Sequence, residues 1–191
     1  MKARLTVMFL ILASAMAGPA LAQTGVYVSQ IGSANTAKAS QDANAVAGYA
    51  KIEQDGERNK AEVIQEGGKQ DARVKQIGTL NDAYLIQSGD EAHQATLSQD
   101  GTINRIKLAQ SSSLAAQVAI LTQEGTNNEI ILSQEGAQNF AELKQTGDNN
   151  LMKLGQTGGG NVTWTQDGSN LAPVELAVGG AQVMILTQTK P

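Results

Sequence analysis

The side chains that this chain carries in quantity, and at regular intervals, are amides. Glutamine recurs at Gln30, Gln41, Gln54, Gln65, Gln76, Gln87, Gln99, Gln110, Gln123, Gln134, Gln145, Gln156, Gln166 and Gln188. Most steps are 11 residues, and the last gap is 22, with Ala177 at the missing mark. Asparagine follows many of them five residues later, at Asn35, Asn59, Asn81, Asn104, Asn128, Asn139 and Asn150. A side-chain amide is a poor nucleophile and a poor base. It donates and accepts hydrogen bonds at the same time. Amides at a fixed interval therefore point to a hydrogen-bonded ladder rather than to a reaction.

Groups suited to catalysis or metal binding are not assembled. His93 is the single histidine and there is no cysteine, so neither a zinc site nor a nucleophile–base pair is expected. His93 falls at an asparagine position of its repeat and reads as an asparagine substitute. Carboxylates are scattered over turns and outward positions, and Glu53 and Glu62 read as a solvated face. A carbohydrate-cleaving solenoid needs clustered outward carboxylates on adjacent rungs, and none is found. The glycine–aspartate nonapeptide of calcium-binding solenoids is absent. Thr96, Thr122, Thr163 and Thr165 do not form the regular column that a flat lattice would require. Trp164, in a shortened repeat, reads as a packing residue. With 3% aromatics, a net charge of −4 and no basic run, nucleic acid is not an expected partner. The expectation is a chain that is not an enzyme and uses no cofactor and no metal.

The elements that must position the amides are strands. Asn59, Ala61, Val63 and Gln65 share one face of an alternating run, and Lys60, Glu62 and Ile64 share the other. The same inward set returns as Asn104, Ile106, Leu108 and Gln110, and as Gln182, Met184, Leu186 and Gln188. Sorted alternately, the strands form two sets, one ending at Gln30, Gln54, Gln76 and onward, the other at Gln41, Gln65, Gln87 and onward. Every step from the first set to the second is 11 residues, and each such turn carries glycine: Gly32, Gly56, Gly78, Gly101, Gly125, Gly147 and Gly168. Return steps vary from 10 to 13, and two of those turns place Ala43 and Ser112 where glycine is expected. Two kinds of turn alternate, and the glycines mark backbone that needs permissive angles.

The unit is thus strand–turn–strand–turn, about 22 residues long. It cannot bury its own apolar face, so copies must stack. The predicted fold is all-β, a two-sheet parallel β-solenoid. Ala, Val, Ile and Leu fill the gap between the sheets, and Gln and Asn line its rims. Each buried amide is expected to bond the identical amide one rung away. Outward, Lys60, Asp82, Arg105 and Glu129 fall in one column of alternating sign.

Residues 1–22 read as a secretory signal peptide: a basic start, an apolar run and Ala20-Leu21-Ala22 before Gln23. The solenoid is expected over 23–191. Its first strand, Thr24-Val26-Val28-Gln30, and its last, Gln182 to Gln188, are well-formed repeats without polar caps. Open strand edges invite another copy. Pro173 marks a weak rung, because proline cannot donate to a ladder. These features predict self-association into fibres. The competing reading is a monomeric secreted β-solenoid that binds a carbohydrate or another repetitive surface.

The repeat Q-x-G-x-x-N-x-A-x-x-x-Q resembles that of curlins, the amyloid subunits of bacterial curli fibres. The resemblance runs from Thr24 to Gln188. It implies a subunit or nucleator of an amyloid fibre (a fimbrium) on the extracellular surface, serving adhesion and biofilm matrix. It also implies other curlin subunits as partners, and passage through the outer-membrane curli export pore with its accessory proteins. Charged segments such as Gln54-Asp55-Gly56-Glu57-Arg58-Asn59 look closer to the minor, nucleating subunit.

Overall fold

Alternation of small apolar and polar residues fixes strands with one buried face, and a computed structural model shows how they stack. It describes residues 25–42, 44 and 48–190, so the expected signal peptide and the turn residue Ala43 lie outside the described residues. Strand follows strand from one sheet to the other. The first sheet holds β1 (Gly25–Ser33), β3 (Tyr49–Glu57), β5 (Asp71–Thr79), β7 (Gln94–Thr102), β9 (Val118–Thr126), β11 (Phe140–Thr146), β13 (Asn161–Asp167) and β15 (Val183–Thr189). The second holds β2 (Thr36–Gln41), β4 (Lys60–Gly67), β6 (Asp82–Gly89), β8 (Arg105–Ser111), β10 (Glu129–Glu135), β12 (Leu151–Thr157) and β14 (Val174–Gly179). Each strand pairs in parallel with the next of its own sheet, so the fold is a two-sheet parallel β-solenoid.

Register follows the glutamines. Gln30, Gln54, Gln76 and Gln99 stand in line, as do Gln41, Gln65, Gln87 and Gln110. A slip of one residue would turn every apolar side chain outward, which pins this alignment. The core is a thin slab between the sheets. Alanine recurs near strand starts (Ala50, Ala61, Ala72, Ala83), and larger residues follow two positions later (Ile52, Val63, Val74, Leu85). Trp164 takes one of the larger positions, fully buried and in register with Leu143 and Leu186.

The structure corrects one register assignment. Ala177 was expected at the missing glutamine mark. Instead Val178 pairs with Gln156, while Ala177 pairs with Gly155 and points outward. Burial decides the matter: this register puts Val174, Leu176 and Val178 against the core, and spacing alone would have exposed them. The turn ahead of β14 absorbs the extra residue at Leu171-Ala172-Pro173.

Outward charges stack as the register dictates. Lys60, Asp82, Arg105 and Glu129 are successive neighbours, and Arg105 lies 3.9 Å from Glu129. Lys38–Glu62 at 2.6 Å and Lys153–Glu175 at 2.7 Å bridge rungs of the same sheet. Glu53 pairs within its own strand with Lys51, at 3.0 Å. Such exposed pairs are screened by solvent and contribute little to stability.

Candidate functional site: amide columns, turn glycines and open ends

Glutamine side chains run along both rims as continuous ladders. In the first sheet Gln30 Nε2 donates to Gln54 Oε1 at 2.6 Å, Gln54 to Gln76 at 2.7 Å, Gln76 to Gln99 at 2.8 Å and Gln99 to Gln123 at 3.0 Å. The series continues through Gln145 and Gln166 to Gln188. In the second sheet Gln41 donates to Gln65, Gln65 to Gln87, Gln87 to Gln110, Gln110 to Gln134 and Gln134 to Gln156. All donate in the same sense, from the N-terminal toward the C-terminal rungs. Most of the same nitrogens also reach across the slab. Gln54 donates to the Thr36 carbonyl, Gln65 to Tyr49, Gln76 to Lys60 and Gln87 to Asp71. A glutamine with both bonds, such as Gln54 or Gln76, ties its rung to the next and its sheet to the other. The small alanines beside these carbonyls leave room for the incoming amide.

Asparagine works differently from the identical-amide ladder expected of it. Asn59 Oδ1 accepts the backbone N–H of Asn81 at 3.0 Å, and Asn59 Nδ2 donates to the Gly78 carbonyl at 2.8 Å. The pattern repeats at Asn35, Asn81, Asn104, Asn128 and Asn150. The asparagine sits inside the turn, where the next rung presents backbone groups instead of another amide. It serves both the orphan N–H that opens the next strand and the orphan carbonyl of the turn glycine. Leu171 ends the column: its N–H is held by Asn150, and it offers no amide onward. In the second kind of turn, Asn139 donates to Glu135 and accepts from Gly160.

His93 takes the asparagine role in that second column. Its Nε2 lies 3.0 Å from the Ser88 carbonyl and 3.1 Å from the Ser112 carbonyl, while Nδ1 accepts the Gln117 N–H at 3.2 Å. Those partners require the neutral ring with its proton on Nε2. Burial holds its pKa below the ordinary 6.5, against the opposing pull of the two carbonyls and of Glu91. Gln70 and Gln117 fill the same column less completely. Each donates to turn carbonyls, yet its buried Oε1 has no partner, and the same is true of the Trp164 indole nitrogen.

The turn glycines answer two demands at once. Gly32, Gly56, Gly78, Gly101, Gly125, Gly147 and Gly168 all have φ between 103° and 129°. A Cβ on Gly78 would lie 3.0 Å from the Gly101 carbonyl carbon, and closer still to its oxygen. Rungs can stack at the strand spacing only if this atom is missing. Two residues later comes a column that spacing did not single out. Ala34, Arg58, Leu80, Ile103, Asn127, Asn149 and Asn170 are all left-handed, with φ of 54–60°. Ile103, Leu80 and Ala34 are poor residues for this conformation. Asn127, Asn149 and Asn170 suit it, and they form a short exposed ladder of their own, at 2.8 and 3.1 Å. The run of asparagine at these three places was the available signal.

Among the described residues there is no cluster of His, Cys, Asp and Glu able to hold a metal ion. Among the described residues, β1 and β2 leave one edge unpaired at the first rung, and β14 and β15 leave the other. Two stretches, residues 49–78 and 118–158, match the family model described as the curlin associated repeat. Neither the curated proteins nor the solved structures returned a match.

Proposed function

We propose that this chain, two stretches of which match the curlin associated repeat, is a structural subunit of a curli-type extracellular amyloid fibre. The family is one of structural amyloid subunits rather than of enzymes. The observation that carries the reading is that, among the described residues, the strands at both solenoid ends have an unpaired edge and the first-sheet glutamine ladder is open at each end. β1 and β15 are parallel-sheet strands with a free backbone edge, and Gln30, Gln41 and Gln188 are ladder residues with one side unstacked. A strand left so can be paired by another chain. Growth is then the folding of an incoming chain onto this template. The resemblance to curlins extends the proposal to secretion through the outer-membrane export pore, to other curlin subunits as partners, and to adhesion and biofilm matrix. Charged turns such as Asp55, Glu57 and Arg58 support the nucleating rather than the bulk role within such a fibre.

Released from denaturant, the chain should form fibres with cross-β spacing near 4.8 Å. Small amounts should also shorten the lag of a major curlin subunit. A chain that stays monomeric and soluble would overturn the fibre reading in favour of a capped, surface-binding solenoid. Fibres without seeding would leave the chain a bulk subunit.

A further inference from the structure

Resting on the fibre reading, we propose that successive subunits stack with a half-turn about the fibre axis, so that β1 of an incoming copy joins the second sheet, on β14, and its β2 joins the first sheet, on β15. The reason lies in strand parity. Among the described residues the first and last strands, β1 and β15, lie in the same sheet. The first sheet therefore runs one strand beyond the second at the C-terminal end. A copy placed in the same orientation would set β1 on β15, and its β2 would face β14 across a missing strand. A copy rotated by half a turn fills that place with β1. Both of its first strands are then paired, where the unrotated copy pairs only one.

The side chains agree with the rotated placement. The glutamine ladders are polar: every rung donates from Nε2 toward the C-terminal side, so the N-terminal end presents the open Oε1 of Gln30 and Gln41. At the other end Gln188 gives one Nε2 hydrogen to the Ala172 carbonyl, and its second is available to a following rung. The second-sheet ladder stops at Gln156, above which stands Val178. Only one glutamine thus tops the C-terminal end, and it lies in the first sheet. With the half-turn, Gln41 of the incoming copy lands on it, as Gln30 would without the rotation, so the ladder accepts either placement and the cover of β14 decides between them. Ala39 and Ala37 then cover Leu186 and Met184, while Val28 and Val26 cover Leu176 and Val174. Small residues meet large ones at one strand, and aliphatics of similar size meet at the other. The incoming β1–β2 turn also settles over the β14–β15 turn, which brings the Asn35 N–H above the Gln182 side chain.

The geometry has a measurable repeat. Fifteen strands shared between two sheets give a rise of roughly 36 Å per subunit, with the outer faces of the two sheets exchanging at each junction. The unrotated stack with its gap would keep each face continuous along the fibre.

Cysteine pairs at outward positions distinguish the two arrangements. Tyr27, Lys38, Glu175 and Ile185 all point away from the core and are exposed, Tyr27 by 51% and Ile185 by 78%. In-register neighbours on adjacent parallel strands lie within disulfide reach. Tyr27 and Glu175, or Lys38 and Ile185, sit at opposite ends of one subunit, so neither pair can close internally. Fibres of the mature chain carrying Tyr27→Cys with Glu175→Cys, and separately Lys38→Cys with Ile185→Cys, should under mild oxidation run as covalent multimer ladders on denaturing gels. Fibres carrying Tyr27→Cys with Ile185→Cys should stay monomeric, with at least a tenfold lower linked fraction. The reverse pattern, or no linking in any fibre, would overturn the half-turn while leaving the fibre reading intact. Absence of fibres from the unsubstituted chain would instead refute the reading on which it rests.

Discussion

Gln76→Leu tests the ladder where it is most fully engaged. Gln76 accepts from Gln54 at 2.7 Å, donates to Gln99 at 2.8 Å and donates across the slab to the Lys60 carbonyl at 2.8 Å. Leucine has similar bulk and removes all three bonds. Gln99 Oε1 is left without its donor, and the Lys60 carbonyl and Gln54 Nε2 each lose one partner. An unpaired buried polar group costs about 1–3 kcal/mol. One full orphan and two partial losses, less the gain from burying an apolar side chain, leave about 2–4 kcal/mol. At tenfold per ~1.4 kcal/mol, the concentration of soluble chain in equilibrium with fibres should rise by about 30- to 700-fold. Lys75→Leu, one residue away and exposed, should change it by no more than about twofold to threefold. Gln30→Leu, which removes a single ladder bond at the open end, should fall between them. The assay is the protein remaining in the supernatant after fibres and chain equilibrate. Equal values for Gln76→Leu and Lys75→Leu would show that the amide ladder does not hold the rungs together.

Two further outcomes follow from the turns. Gly78→Ala should destabilise by about 1–3 kcal/mol or more, because φ is 106° and the added carbon meets the Gly101 carbonyl. Gly155→Ala should be neutral or slightly stabilising, since its Cβ would find nothing nearer than 4.0 Å, and denaturant midpoints of the two variants separate the cases. His93 should make stability depend on pH in one direction. Its pKa in the folded chain lies below the ordinary 6.5, so the neutral ring's contribution is fully present above that value and declines as pH falls below it toward the folded pKa. Fibre dissociation measured from pH 8 to 5 should show this loss, and His93→Asn should flatten it. An unchanged profile would mean that carboxylates govern the response.

Much of this arrangement is legible from order alone, because a strand that faces a core on one side must alternate. The two strand sets, the parallel sheets and the placement of Ala, Val and Leu all follow from that one constraint. What failed was whatever depends on reach. Asparagine and glutamine are alike on paper, but asparagine is one methylene shorter and lies inside a turn. The nearest groups there are the next rung's N–H and carbonyl, as at Asn59, rather than a second amide. Ala177 departs from the residue count because the turn before β14 is one residue longer than the others of its kind, and burial of Val178 sets the register. The left-handed column is marked in residue type only at Asn127, Asn149 and Asn170; at Leu80 and Ile103 stacking imposes the same backbone on side chains that do not favour it.

Uniform register has a kinetic consequence. Strand pairs join residues about one rung apart in sequence, as Gln54 with Gln76 or Gln76 with Gln99, and no pairing spans the length of the chain. Forming the first rung of a free chain means closing a loop of that size before any second strand is there to reward it, and the entropy lost is the same wherever along the chain it begins. In the proposed fibre, a chain arriving at the end closes no such loop for its first strand, because the strand beside it already exists. Each later strand then adds one layer by the same local step. Folding of the subunit and growth of the polymer are in that sense one reaction, differing only in who supplies the first layer. The rate at which a free chain begins on its own sets the lag, and every later event is repetition.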